Sequence, residues 1–338
     1  MDMTLDRYLE ERYQACPHRL SLDRPLSGAL DWTTWRAQLR TALRGRLCMA
    51  PAVPLDLEVL STTRRDHFTQ LKVAYNVEAG LRAPAYLLLP DGAAHAPCVV
   101  ALHGHGAGVR PIIGLAADDS EAGAPDYQAA FALALVRRGF VVAAPELAGF
   151  GDLRLSEDVS GPPEQSSCHR LSVYLTMLGR TLAGLRTAQA LRMLDVLAER
   201  PEADAGRAGM IGISGGGTVT MLASVLDERI RASVVCSYAN TFHDSILAMH
   251  HCVDNYLPGW LQDAEMPDLL AAIAPRPMLW ESGVDDPIYP AHGVQAAFFQ
   301  VQKAYEAQGV ADRLTWDAFP GGHAFSGRRS LDFLQTWL

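Results

Sequence analysis

The sequence predicts an α/β fold, in which a mostly parallel central sheet of about eight strands is flanked by helices. Two observations lead to this prediction. From residue 97 onwards, apolar runs of strand length alternate with helix-length segments, which is typical of parallel strands joined by helical crossovers. In addition, glycine-rich turns directly follow two of the apolar runs, at residues 103–108 and 212–217.

Composition narrows the classes to which the protein can belong. Its 338 residues suffice for one large domain with a substantial core. The net charge of −9 would repel a phosphate backbone or an anionic membrane surface, so we expect neither nucleic acid nor membrane as a partner. The acidic N-terminus has no apolar run typical of a signal peptide, and we expect a cytoplasmic location. Six scattered cysteines without C-x-x-C spacing predict free thiols.

The first part of the chain is predicted to form a helical extension. Large apolar side chains recur there at helical intervals in two stretches, 5–9 and 32–43. We therefore expect an N-terminal helical extension over residues 1–60 that packs against a main domain of residues 61–338. The sequence does not determine the oligomeric state, and a homo-oligomer is compatible with it.

Strands dominate the pattern after this extension. Residues 71–77 alternate between apolar and polar side chains, Ala79 and Gly80 supply a turn, and residues 83–89 are largely apolar, which predicts two antiparallel edge strands. The remaining predicted strands are 97–102, 140–144, 208–213, 230–238, 277–281 and 314–318, and the predicted helices between them are 127–138, 176–200 and 291–308.

The second glycine-rich turn carries a G-x-S-x-G motif centred on Ser214. A nucleophilic serine on a sharp strand-to-helix turn needs neighbours without side chains, because the bent backbone and the substrate leave no room for a Cβ atom. Gly212 and Gly216 occupy those two positions. The motif by itself is also compatible with an ordinary glycine-rich turn that opens a helix.

An acid and a histidine follow Ser214 in the order that a Ser-acid-His triad requires in this kind of fold. The acid lies in a turn after a predicted strand, where Asp285 and Asp286 are both present. We prefer Asp286 because it directly precedes a proline, which restricts its backbone. His323 follows the last predicted strand. In this interpretation His323 takes the proton from Ser214 and returns it to the leaving alcohol, while the carboxylate orients the imidazole.

The first glycine-rich turn, His103-Gly104-His105-Gly106, is predicted to supply part of an oxyanion hole. Acyl transfer builds negative charge on a carbonyl oxygen and needs N–H donors directed at it. We assign these donors to His105 and Gly215. Alternatively, His103 and His105 could bind a metal through their H-x-H spacing. We disfavour a metal site because no carboxylate or cysteine stands close by in the motif.

Two connections, at residues 145–173 and 239–267, exceed the usual length and are expected to form the walls of a substrate pocket. The second connection is rich in polar and aromatic side chains that could contact a sugar or phenolic ester. The simpler interpretation is that these side chains order the connection. The residues concerned are His250, His251, Asn255, Tyr256 and Trp260.

Taken together, several segments resemble bacterial α/β hydrolases of the acetyl xylan esterase-like and dienelactone hydrolase-like groups, from about Leu71 to the C-terminus. The segments are Leu102–Gly106, Gly149–Asp152, Gly212–Gly217, and a long block from Ser245 to Leu269. The resemblance implies the α/β-hydrolase fold and a serine carboxylic ester hydrolase with the triad Ser214, Asp286 and His323. It also implies a small-molecule ester substrate, with a short acyl group such as acetyl by analogy, and no metal or cofactor.

Two positions qualify this resemblance. Dienelactone hydrolases proper use a cysteine nucleophile, so Ser214 argues against that activity. Glu146 stands where relatives often have aspartate, which should affect loop support more than chemistry.

Two other functions stay open. A serine peptidase or amidase of the prolyl-oligopeptidase type would use the same triad, although the helical extension is too short to be a propeller. A ligand-binding protein without turnover would keep the pocket alone.

Overall fold

The computed structural model describes residues 4–338 and contains one nine-stranded sheet. Strands run in the order β1-β2-β3-β5-β4-β6-β7-β8-β9 across this sheet. The first three strands and the β3–β5 pair are antiparallel, and every pair from β5 to β9 is parallel. The strands are β1 Glu58–Arg65, β2 Phe68–Glu78, β3 Leu81–Pro90, β4 Ala96–Leu102, β5 Val141–Pro145, β6 Ala203–Ile213, β7 Ile230–Cys236, β8 Met278–Gly283 and β9 Leu314–Phe319.

Helices cover both faces of the sheet, so the predicted α/β class and the parallel core are confirmed. Successive residues of the central strands point to opposite faces, as Val99 and Val100 do. One face packs against α4 and α10, and the other packs against α3 and α6–α9. The helices are α1 Leu5–Gln14, α2 Asp23–Leu26, α3 Trp32–Leu47, α4 Phe131–Arg137, α5 Cys168–Met177, α6 Leu182–Ala198, α7 Gly215–Leu226, α8 Met266–Ala271, α9 Ala291–Ala307 and α10 Ser330–Trp337.

Strand β1 is a ninth strand that the sequence patterns did not indicate. Its residues are exposed along almost the whole strand, and both of its ends carry charged side chains. Such a sequence has no apolar alternation to reveal it, and the strand exists because its backbone pairs with β2 at the edge of the sheet.

The predicted helix at 176–200 is in fact two helices, α5 and α6. The chain leaves α5 through Gly179, which has φ +75°, a conformation that favours glycine. Thr181 then caps α6 by accepting a hydrogen bond from the Gly184 N–H at 3.0 Å. Similarly, positive φ angles at Ala129 and Ala130 delay the start of α4 to Phe131.

Helix α3 joins the N-terminal part of the chain to the core. Trp35, Leu39, Leu43 and Leu47 follow one another at helical spacing and are all fully buried. They share a hydrophobic cluster with α7, α8 and α9. Helix α1, by contrast, has no buried residue.

None of the helices in the described part of the chain combines the length and the apolar character that crossing a bilayer requires.

Candidate active site

Ser214 lies on a strained turn between β6 and α7, with φ 55° and ψ −120°. A serine in this region of backbone space costs of order 1–3 kcal/mol, which the surrounding structure must supply. Here the Ser214 N–H donates to the Cys236 carbonyl at 3.0 Å. A Cβ atom at Gly212 would lie 2.2 Å from the Gly216 carbonyl oxygen, and one at Gly216 would lie 2.1 Å from the Leu102 oxygen. Both positions therefore need glycine.

Asp286 and His323 meet at the ends of β8 and β9. His323 Nδ1 lies 2.8 Å from Asp286 Oδ2. The other carboxylate oxygen, Oδ1, accepts hydrogen bonds from the backbone N–H groups of Ile288 and Tyr289 at 2.8 and 3.1 Å. The neighbouring Asp285 is exposed. The carboxylate is thus held firmly, and a proton on Nδ1 leaves Nε2 as the basic nitrogen of the ring.

Two tyrosines that the sequence reasoning missed enclose the His323 ring. Tyr127 and Tyr289 stack against it with centroid distances of 5.7 and 5.8 Å and interplanar angles of 26° and 25°. Burial raises the pKa of both phenols, so both stay uncharged. Among residues 4–338, the His323 side chain hydrogen-bonds only to Asp286. Hydrogen bonds between nucleophile and base often tighten only when substrate binds.

The turn after β4 lies directly against Ser214. A Cβ atom at Gly104 would lie 3.2 Å from Ser214 Cβ. The loop is held by a hydrogen bond from the Gly104 N–H to Gln128 at 2.7 Å and by one from the Tyr127 hydroxyl to the His105 carbonyl at 2.7 Å. The backbone N–H groups of His105 and Gly215 donate to no other described group. Both are available for a substrate oxyanion, and that role stays a prediction.

The side chain of Glu146 supports the turn after β4. Its buried carboxylate accepts hydrogen bonds from the N–H groups of Val109 at 2.9 Å and Asp152 at 3.4 Å. A Cβ atom at Gly108 or Gly151 would overlap the carboxylate, which explains the glycines there. Glu146 therefore links residues 103–108, the predicted oxyanion loop, to the loop after β5.

His103 and His105 do not form the H-x-H metal pair that we considered. His103 Nδ1 is 2.8 Å from the Gly104 oxygen, and its Nε2 accepts the Leu147 N–H at 3.1 Å. Both nitrogens are thus engaged within the loops. The His105 ring points elsewhere, toward Asp254.

A second group of polar side chains surrounds His105, and its members could hold a metal ion. His105, Cys168, Cys252 and Asp254 each place one ligand atom within 4.8 Å of the others. Burial lowers the pKa of His105, but the Asp254 carboxylate outweighs burial and raises that pKa to about 9. Burial would raise the pKa of Asp254, yet Arg186 and His105 hold it well below its ordinary value.

Among the predicted substrate-binding residues, His251 lies nearest to the site. Its ring contacts Tyr289 edge-on at 5.7 Å, and its Nδ1 accepts a hydrogen bond from Asn255 at 3.0 Å. Its Nε2 is buried and has no partner among the described residues. Burial lowers the pKa of His251, so the ring is neutral. Its Nε2 then carries the proton and could donate a hydrogen bond to a substrate oxygen.

Trp260 is 3% exposed and belongs to the hydrophobic cluster around α3, α8 and α9. This packing favours a role in ordering the connection, and substrate contact by Trp260 stays a prediction. His250 is exposed, and Tyr256 is half-exposed with its hydroxyl donating to the His251 carbonyl at 3.2 Å. Substrate contacts by these two residues stay predictions.

Comparisons with known proteins identify the family to which the chain belongs. The model of the Abhydrolase family matches residues 21–320. A protein of Bacillus subtilis (strain 168), with the provisional name hydrolase YtaP, is 28% identical over 294 residues, which cover 84% of this chain and 93% of that protein.

Several solved structures share the fold. One is a Bacteroides fragilis NCTC 9343 protein with the provisional name acetyl xylan esterase, with a TM-score of 0.80, 17% identity, and coverage of 94% of this chain and 82% of that one. Another is a glucuronoyl esterase from Solibacter usitatus, with a TM-score of 0.64, 18% identity, and coverage of 90% and 93%. A third is acetyl xylan esterase 1 from Thermoanaerobacterium sp. JW/SL YS485, with a TM-score of 0.62, 17% identity, and coverage of 100% and 98%.

The family model spans 300 of the 338 residues and includes Ser214 and Asp286. The chain therefore belongs to the Abhydrolase family and has the α/β-hydrolase fold of acetyl xylan esterase-like proteins.

Proposed function

We propose that the protein is a serine carboxylic ester hydrolase that cleaves short-acyl esters through the triad Ser214, Asp286 and His323. One observation carries the proposal: a serine on a strained strand-to-helix turn lies at the same edge of the sheet as a histidine held by a buried carboxylate. The backbone N–H groups of His105 and Gly215, which donate to no other group among residues 4–338, stand beside that serine.

The mechanism follows from these positions. His323 Nε2 accepts the Ser214 proton as the Ser214 oxygen attacks the ester carbonyl carbon. The carbonyl oxygen becomes negative and accepts hydrogen bonds from the N–H groups of His105 and Gly215. His323 then protonates the leaving alcohol, and water enters to release the acid from the acyl-enzyme. Asp286 stabilises the imidazolium that forms at each step.

The surroundings of Ser214 favour a small acyl group and a polar alcohol. Ser214 is 9% exposed, and His105 packs close to Gly215, so little room is left at the nucleophile. A cavity of about 1150 Å³ borders the site at Gly106 and Tyr127. Charged groups of both signs line it, including Arg65 and Glu164, and these suit a hydroxyl-rich alcohol such as a sugar. The names of the solved structures that share the fold, acetyl xylan and glucuronoyl esterases, agree with a sugar-related ester.

The test is hydrolysis of p-nitrophenyl esters from acetate to octanoate by the wild type and by Ser214→Ala. We expect a rate that falls with acyl length and a loss of roughly 10⁶-fold in the variant. Ser61→Ala, an exposed serine on β1, is the control and should match the wild type. Cleavage of p-nitroanilides faster than esters would instead support the amidase alternative. Equal ester hydrolysis in wild type and Ser214→Ala would refute the proposal.

A further inference from the structure

Three segments that surround the candidate active site meet at one cluster of side chains. His105 comes from the oxyanion loop, Cys168 is the first residue of α5, and Cys252 and Asp254 come from the long connection after β7. We call these four residues the His-Cys-Asp cluster. Cys168 and Asp254 are buried, and the other two are partly buried.

Three of the distances within the cluster are close to those of a tetrahedral metal site. His105 Nε2 lies 3.1 Å from Asp254 Oδ2 and 3.9 Å from Cys168 Sγ, and Cys168 Sγ lies 3.8 Å from Asp254 Oδ2. All four ligand atoms lie within 4.8 Å of one another. Zinc bonds of about 2.0 Å to nitrogen or oxygen and about 2.3 Å to sulfur place tetrahedral ligands about 3.3–3.8 Å apart.

The types of ligand select the metal. Two thiols and an imidazole are soft or borderline ligands, which suit Zn²⁺ and are poor ligands for Mg²⁺ or Ca²⁺. One carboxylate completes the usual number of four protein ligands, which leaves no open position for water and is typical of a structural rather than a catalytic zinc site.

The charge around the cluster also fits a zinc ion. Two thiolates and one carboxylate around Zn²⁺ carry a net charge of −1, which is costly to bury without a partner. Arg186 supplies the opposite charge: its guanidinium contacts Asp254 and lies 3.0 Å from Cys168 Sγ. The side chain is buried and is held in place by hydrogen bonds to the Ala148 carbonyl at 2.7 and 2.9 Å. Arginine and site together are neutral.

We propose that His105, Cys168, Cys252 and Asp254 bind one Zn²⁺ ion, which ties the oxyanion loop, α5 and the second connection together beside the active site. The ion positions the His105 N–H but takes no part in the reaction. From the sequence we disfavoured a metal site because no carboxylate or cysteine lies within the H-G-H motif. The ligands instead come from residues 63 or more positions away from His105.

The test measures the metal in the full-length protein. The chain is purified without a metal-affinity step, incubated with zinc chloride, and freed of loosely bound metal before elemental analysis. We expect about one zinc per chain in the wild type and in Cys48→Ser, an exposed cysteine outside the cluster. We expect the zinc retained per chain to fall at least about tenfold in Cys168→Ser and Cys252→Ser, since changes to residues that only support a metal ligand already lower metal affinity by about 10- to 100-fold.

A second measurement covers the case in which these variants do not fold. Wild-type protein loaded with Co²⁺ in place of zinc should show thiolate-to-cobalt absorption, and Cys48→Ser should show the same bands. Substoichiometric zinc without thiolate-to-cobalt bands would overturn the proposal, as would a Cys168–Cys252 disulfide detected by mass spectrometry without reduction. These readouts do not depend on esterase activity, so the two proposals can fail separately.

Discussion

Two histidine–carboxylate pairs lie at the edge of the sheet where Ser214 stands, and they differ in which ring nitrogen the carboxylate holds. Asp286 lies 2.8 Å from Nδ1 of His323, which leaves Nε2 available. Asp254 lies 3.1 Å from Nε2 of His105. The Nδ1 of His105 instead faces Gly215, 3.1 Å from where a Cβ atom of that glycine would stand.

The surroundings of the two pairs also differ: those of His323 are neutral, and those of His105 are charged. His323 stacks between two aromatic rings, and its carboxylate is held by neutral backbone donors, so the ring can gain and lose a proton in place. The Asp254 carboxylate beside His105 contacts the charged Arg186, and Cys168 is close to both. One pair is therefore suited to proton transfer, and the other is suited to holding a loop. Their removal should have effects of very different size.

Removing the first pair's imidazole should have the largest effect. We expect His323→Ala to lower kcat for p-nitrophenyl acetate by roughly 10⁶-fold, because the Ser214 hydroxyl then has no base. A double variant with Ser214→Ala should lose little more, since the two residues act as a unit. His95→Ala, at an exposed histidine, is the control. A loss of less than tenfold in His323→Ala would contradict the assigned role.

The carboxylate of that pair should matter next. Asp286→Asn keeps the shape of the side chain but favours the wrong tautomer of His323, and we expect kcat to fall by about 10⁴-fold. The neighbouring Asp285→Asn is a matched control, because Asp285 is exposed and should leave kcat unchanged. Steady-state kinetics of both variants decide the choice. If Asp285→Asn were the impaired variant, the acid would have been assigned to the wrong residue.

The second pair should have a smaller effect with a different signature. His105→Gln retains the peptide N–H but loses the contact with Asp254, so we expect kcat to fall by about 10- to 100-fold, less than the loss of a whole oxyanion donor. The KM should change little, and the pH profile of kcat should keep its wild-type shape, because His105 transfers no proton.

The control for this variant is His169→Gln, an exposed histidine next to Cys168. A changed pH profile in His105→Gln, or a loss as large as that of His323→Ala, would show that the two pairs are not different in role.

The sequence predicted the first pair much better than the second, for a physical reason. Ser214, Asp286 and His323 each lie on a turn that directly follows a strand, and parallel strands bring such turns to one edge of the sheet. Their catalytic roles stay predictions, but their order and spacing indicated the site. The second pair depends on Cys168 and Asp254, whose connections carry no regular pattern that shows which side chains turn inward.

The same reason explains the errors in the fold. The buried strands of the sheet were predicted because their apolar runs are continuous. Strand β1 was missed because it is exposed on both faces. Trp260 lies in a connection of polar sequence and is nevertheless buried in the core, because burial depends on packing between distant segments, which the local sequence does not describe.

A pair of carboxyl groups that has no cationic partner offers a further comparison. Its effect is on the pH dependence of stability, and it is the smallest that we expect. Glu265 and Asp268 form the capping box at the start of α8. Burial raises the pKa of each carboxyl group to about 7, Asp23 adds to the rise at Asp268, and no cation of the described chain contacts either group. The folded state thus keeps protons that the unfolded state releases near pH 4, so stability is present at low pH and falls as pH rises toward about 7.

We expect the melting temperature to fall by a few degrees between about pH 5 and about pH 8 through these two groups. Asp268→Asn should make that decrease smaller, because the amide keeps an acceptor for the Leu22 N–H and cannot ionise. Asp312→Asn, an exposed acid beside β9, should leave the decrease unchanged. Asp286 and Asp254 differ from this pair of carboxyl groups because each has a histidine partner. If the melting temperature of Asp268→Asn fell with pH as much as that of the wild type, the lack of a partner at Asp268 would have no effect on stability.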